Sequence, residues 1–200
     1  MSQYKPTVEE FLRDVKDHQL TIKLDQGVYR HLVCANKNGS WNQRFEIITA
    51  PHSLLIRGDM GAVAFSRIED MFQFFSSDPA KINPYYWGEK IEGLDADGGR
   101  NAYKFNGDYF REKLMHRVYD SDTGSESPDE IMEQLDNCVD WQDEEAIVIR
   151  AVGDFESNER FSFTDVWEIN ATVPLGRFIW LCRAICWAIG EYERAREAAR

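Results

Sequence analysis

Basic residues are scarce in this chain: 23 Lys and Arg stand against 35 Asp and Glu in 200 residues, a formal charge of -12 at pH 7. That balance excludes a general positive field able to hold nucleic acid or an anionic membrane, so a partner recognised by charge has to be basic. Cysteine is scarce too. Cys34, Cys138, Cys182 and Cys186 form no CxxC pair, which removes a disulfide framework and a zinc ribbon and predicts free thiols. HExxH, GxSxG and P-loop patterns are missing, and with them the commonest catalytic signatures; no cofactor is expected. Long apolar runs are missing as well. The most hydrophobic stretch, 174–190, is interrupted by Arg177 and Arg183 and reads as a core helix rather than a membrane span. The first twenty residues carry no basic start followed by an apolar stretch, so a cytoplasmic protein is expected.

What is present is enough apolar material for a sizeable core, with 43% hydrophobic and 13% aromatic residues, and a length suited to a single domain. Residues 7–17 read as a helix, with Thr7 and Glu10 in a capping-box relation and Phe11, Leu12 and Val15 as the apolar stripe. From 28 to 65, short runs rich in β-branched and aromatic residues predict a small antiparallel sheet. Within it Phe45, Ile47 and Thr49 alternate with Arg44, Glu46 and Ile48. Asn38-Gly39, and Gly58 and Gly61 around Asp59-Met60, suit hairpin turns.

Beyond Phe65 the spacing of Ile68, Met71, Phe72 and Phe75 predicts a helix of about two turns. Asn83 and Pro84 open a second short helix, and 94–101 is a glycine- and aspartate-rich loop. Residues 105–118 form a third helix, with Phe110, Leu114 and Val118 on one face. A polar loop covers 119–128, an acidic helix 127–146, and a long terminal helix 173–199. The expected architecture is therefore a single α+β domain, its sheet packed against several helices.

Negative charge is concentrated in one segment. Residues 119–168 contain 16 acidic side chains and only two basic ones, Arg150 and Arg160. Inside it Asp129, Glu133, Asp136, Asp140 and Asp143 recur at intervals of four, three, four and three, which on one continuous helix would place five carboxylates along one face. Such a row destabilises a helix by about 0.2–0.5 kcal/mol per like-charged i,i+4 pair, and no lysine or arginine is interleaved to relieve it. One reading is a solvated helix face. Another is a surface for a basic, nucleic-acid-binding protein, because carboxylates at this spacing approximate a line of phosphates; Trp167, in the same acidic segment, is the aromatic candidate for a partner-facing anchor. A third is a cation site: 120–130 is rich in oxygen ligands, but departs from EF-hand spacing.

Other candidates have weaker patterns. His52, Arg57 and Asp59 lie close in sequence and suggest an acid–base site for a small enzyme acting on a nucleotide or nucleic acid. A lone histidine after Pro51 is more often structural, and GDMG, followed by a strand, lacks the context of a dinucleotide-binding loop. Cys182 and Cys186, one turn apart among apolar neighbours, read as buried thiols rather than metal ligands.

The segments IRGDMGAVAFSRIEDMFQFF (56–75) and INPYYWGEKIEG (82–93), with RFIWLCRAICWAIGEYE near the C-terminus, resemble a family of small proteins of unknown function encoded in bacteriophages and prophages. The resemblance covers about the central third and the terminal helix and includes no catalytic motif. It implies a viral setting in a bacterial cytoplasm. Small acidic proteins of that setting often look like blockers of host defence, of anti-CRISPR or anti-restriction type. The expectation is a non-enzymatic inhibitor that engages a basic nucleic-acid-binding host protein through Asp129, Glu133, Asp136, Asp140, Asp143 and Trp167, with no direct nucleic-acid or membrane binding. A small enzyme, or a structural component of the virion, is the alternative.

Overall fold

The computed structural model describes residues 6–75, 77–94 and 102–200, so most of the loop expected at 94–101 lies outside the described residues. The first helix, α1 (Val8–Asp14), is fixed by its cap: the Thr7 hydroxyl accepts from Glu10 N at 3.2 Å while the Glu10 carboxylate accepts from Thr7 N at 2.8 Å. Five antiparallel strands follow, β1 (His18–Gln26), β2 (Tyr29–Asn36), β3 (Phe45–Ala50), β4 (Ser53–Gly58) and β5 (Gly61–Ser66). Helix α2 (Pro84–Gly88) and strand β6 (Ile91–Leu94) complete a six-stranded meander in sequential order. The sheet expected at 28–65 thus gains a strand on each side. The missed β1 carries a period-two signal, Leu20, Ile22 and Leu24 alternating with Thr21, Lys23 and Asp25. Gly58 pairs with Gly61 across Asp59-Met60, as the turn chemistry requires.

The helix expected after Phe65 is only a single 3-10 turn, Met71–Gln73. The reason is Asp70. Its carboxylate accepts from Phe72 N at 3.0 Å and takes both terminal nitrogens of Arg30, at 2.8 and 2.9 Å, which holds the segment in a tight capped turn.

The chain then runs through β7 (Tyr103–Phe105), α3 (Gly107–Tyr119), α4 (Pro128–Cys138), α5 (Glu145–Gly153), β8 (Thr172–Pro174) and α6 (Gly176–Ala198). It divides into two compact units, one of Met1–Tyr103 with Pro174–Arg200, the other of Lys104–Val173. The architecture is α+β, with the long C-terminal helix expected. No helix among the described residues is long and apolar enough to cross a membrane.

In the first unit α6 is buried almost all round from Phe178 to Ile189. Trp180 is its keystone: it meets Phe45 of β3 and Phe11 of α1 edge-on, at 5.7 and 5.3 Å between ring centres, and donates its indole N–H to Asp14. Cys34, Cys182 and Cys186 are buried, and burial pushes the Cys34 and Cys182 thiols well above the ordinary thiol range.

Below this core, Arg30 is almost entirely buried. It donates to Asp70 and to the Tyr192 hydroxyl, lies 4.5 Å over the Phe72 ring, and so ties β2, the 3-10 turn and α6 together. Hydrogen bonds from Arg30 hold the Asp70 carboxyl below its usual range in spite of burial. Tyr192 passes the connection to Asp25 at 2.8 Å. Arg30→Ala leaves Asp70 without its counter-charge, and we expect a loss of about 3–5 kcal/mol in urea unfolding; a loss below about 1 kcal/mol shows that the pair does not hold the unit together.

Candidate functional site

The second unit has its own core, built by Phe110, Leu114 and Val118 of α3, Ile131, Met132 and Leu135 of α4, and Val148 and Val152 of α5. It also holds the whole net charge. Residues 104–173 carry 18 acidic and six basic side chains, whereas the rest of the chain carries 17 of each.

Helix α4 starts as expected, with Ser127 and Glu130 forming a capping box and Pro128 in its first turn. It does not run on to 146: Val139 turns to extended geometry, with φ -117° and ψ 123°, and α5 restarts at Glu145. Electrostatics favours the break. A continuous helix would crowd Asp136, Asp140, Asp143 and Glu144 along one side, whereas the break places Glu144 and Glu145 at a helix N-terminus, where the dipole favours acids. Packing fixes the break as well, because Val139 is buried and Gly107 lies so close to the Trp141 carbonyl that a Cβ there would sit 1.9 Å from its oxygen.

The single five-carboxylate helix face is therefore corrected: Asp129, Glu133 and Asp136 stand on α4, while Asp140 and Asp143 lie on the connection to α5. All five are exposed. Asp136 is neutralised within the unit, taking Arg111 through two nitrogens and the Trp141 indole N–H at 2.9 Å, and Arg111 holds its carboxyl below the usual range. Asp129 accepts from the Tyr119 hydroxyl at 2.7 Å, and Asp140 from Gln142 N at 3.0 Å. Among the described residues, no cation pairs with Asp129, Glu133, Asp140 or Asp143. Trp167 is 68% exposed, on a 3-10 turn (Val166–Glu168) whose Val166 is buried.

The oxygen-rich 120–130 loop spends oxygens on hydrogen bonds, within itself and to its neighbours in the unit. Glu126 accepts from Gln134 at 2.7 Å, from Glu159 N at 3.2 Å and from the Ser157 hydroxyl; these bonds hold its carboxyl below the usual range. Gly124 N donates to Asp122 at 3.1 Å. No three His, Cys, Asp or Glu side chains among the described residues converge on a metal-sized site.

In the first unit His52 and Asp59 stand at opposite ends of β4, separated by six residues of strand, or about 20 Å of extended chain. His52 occupies the β3–β4 turn with φ 64°, its N–H donating to Glu69 O and its carbonyl accepting from Arg67 N, a structural role. Arg57 and Asp59 instead border a shallow cleft of about 440 Å³ with Trp41, Arg44 and Glu46. Glu46, 8% exposed, is held by Arg44, by His31 at 2.9 Å and by Arg57 at 3.3 Å. Burial alone would raise its pKa, but these hydrogen bonds outweigh it and hold the carboxyl at about 2. Sequence reasoning passed over Trp41, Arg44 and Glu46 as a site; the signal available was a tryptophan inside the turn-rich NKNGSWN.

Compared with protein-family models, with curated proteins and with solved structures, the chain matches none.

A carboxyl depressed in the folded state stabilises fully above its unfolded pKa. The Glu46 contribution is therefore present above about pH 4.5 and is lost as pH falls toward about 2. Glu46→Gln, which leaves Arg44 and Arg57 adjacent without their shared anion, is expected to cost about 2–4 kcal/mol at pH 7 and to flatten the acid limb of the stability profile. An unchanged acid limb contradicts this assignment.

Proposed function

We propose that Lys104–Val173 is a docking surface for a basic, nucleic-acid-binding protein, and that the chain acts by occupying the groove in which that protein holds its nucleic acid. The observation that carries this reading is the segregation of charge. A net -12 falls entirely within a 70-residue unit, while the remainder of the chain is neutral. Asp129, Glu133, Asp140 and Asp143 supply the unpaired carboxylates, and Trp167 an exposed ring of the kind enriched at binding hot spots. Asp136 belongs to the supporting structure. Its negative charge is already matched by Arg111, so it orients the surface rather than contacting the partner.

The setting suggested by the sequence resemblance, a phage protein that blocks a nucleic-acid-binding defence system of its host, agrees with this reading. Binding built on such a surface is fast at low salt and weakens as salt rises, because exposed charges are screened over about 8–10 Å at 0.1–0.15 M.

The test is capture from host lysate by the full chain and by a variant carrying Glu133→Lys, Asp140→Lys and Asp143→Lys, whose circular dichroism is matched to the parent. We expect the parent to retain a basic protein at about 0.05 M salt and release it by about 0.5 M, and the variant to retain none. Equal capture by both chains, or capture indifferent to salt, refutes the acidic surface as the contact.

A further inference from the structure

The cleft beside β4 and β5 has a chemistry that the acidic surface does not share. Its most conspicuous part is Trp41, 66% exposed and yet held in place from several directions. The loop that carries it, between β2 and β3, is a chain of polar turns: Ser40 N donates to Asn38, Asn42 N to Ser40, and Arg44 N to Trp41 O. Asp59 secures the end of this loop, its carboxylate accepting from Gln43 N at 2.8 Å and its own N–H donating to Arg44 O at 2.9 Å. Gln43 is kept at φ 57°, a conformation a non-glycine residue adopts only where its surroundings demand it. Gly58 is obligatory beneath, since a Cβ there would stand 2.1 Å from Arg44 O. Burial contributes little to the position of this indole; directional bonds fix the backbone of its loop, and the Arg44 guanidinium packs on the ring.

One face of the ring is already covered. The Arg44 guanidinium lies 4.3 Å from the ring centre, and the same guanidinium pairs with Glu46. Arg44 and His31 hold Glu46 at the shorter distances, and Arg57, which shares that carboxylate, is a second arginine of the cleft. It reaches Glu46 through a single nitrogen at 3.3 Å, and its side chain remains 55% exposed. Asp59, the remaining carboxylate of the cleft, is the one that holds Gln43 N.

We infer that this cleft binds a small molecule made of a planar aromatic ring and an appended oxyanion, phosphate or carboxylate. The ring stacks on Trp41, extending the Arg44–Trp41 pair to a third layer, and the oxyanion takes the free N–H groups of Arg57. A volume of about 440 Å³ suits a ligand the size of a mononucleotide or an indole acid. The glycines of the β4–β5 turn serve the hairpin and the close approach of the loop; the recognising groups are side chains. The inference does not depend on the acidic surface of Lys104–Val173, and the probes below do not engage it.

Titration of the full-length protein with adenosine monophosphate and with indole-3-acetate, followed by the Trp41 indole N–H resonance and by calorimetry, tests it. Adenosine and inorganic phosphate are the controls. The expected result is saturable binding of one or both ring–oxyanion probes, about tenfold or more tighter than adenosine or phosphate alone. Arg57→Gln is expected to reduce that affinity about tenfold while leaving the weak binding of adenosine as it was, and Trp41→Ala to abolish the ring's contribution. Either substitution leaves Glu46 with Arg44 and His31. The inference is overturned if the Trp41 resonance shows no saturable shift up to about 10 mM of either probe. It is equally overturned if phosphate alone binds as tightly, or if both variants bind like the parent.

Discussion

Crowding of like charge is the constraint that shapes the second unit. Eighteen carboxylates and six cations share 70 residues, so every local choice there is made against repulsion. The structure relieves it where it can. Acids gather at helix starts, Asp129 and Glu130 on α4 and Glu145 on α5, where the unsatisfied N–H groups and the dipole favour them. Glu130 is spent on a capping box and Glu126 on Gln134, Ser157 and Glu159, which converts potential repulsion into hydrogen bonds. Arg111 removes Asp136 from the tally. A small core under α3, α4 and α5 supplies the burial that holds the unit against what is left.

What is left is informative. Glu133, Asp140 and Asp143 pair with no cation among the described residues, Asp140 accepting only from Gln142 N, and α4 has no basic residue in its last turn. The first unit follows a different rule: its nearly buried charges, Arg30 with Asp70 and Glu46 with Arg44, are answered by partners within hydrogen-bonding distance. One chain thus contains a unit in which charge is balanced and a unit in which it is left facing water. That contrast gives the acidic surface its functional reading, since like charges crowded on one unit repel one another until a partner supplies the opposite charge.

Much of the fold was legible because local signals agreed with the tertiary outcome. Thr7 with Glu10, Asn83 with Pro84, and Ser127 with Pro128 each mark a helix start that the structure keeps. The alternation of Phe45, Ile47 and Thr49 with Glu46 and Ile48 matches the buried and outer faces of β3, except that Glu46 is itself nearly buried by its partners. The misreadings have a common physical origin, a long-range contact overriding a local pattern. Apolar spacing after Phe65 favoured a helix, but Asp70 is drawn to an arginine forty residues away and the segment tightens into one turn. Acid spacing from Asp129 to Asp143 favoured one helix, but the close approach of Gly107 to Trp141 and the burial of Val139 end it at Cys138. The position of Trp41 was beyond sequence reasoning, because it depends on Asp59, just after β4, reaching Gln43, just before the paired strand β3.

The central claim, that the unpaired carboxylates of Lys104–Val173 are covered by a basic protein, is tested most directly by carboxylate footprinting. The full chain is labelled with a carbodiimide and an amine, alone and in host lysate at low salt, and the modification of each carboxylate is read by mass spectrometry. The account predicts that Asp129, Glu133, Asp140 and Asp143 become protected in the lysate, while Asp136, already engaged by Arg111, and the carboxylates of the first unit do not change. Equal modification of those four in both conditions, or protection confined to the first unit, would contradict it.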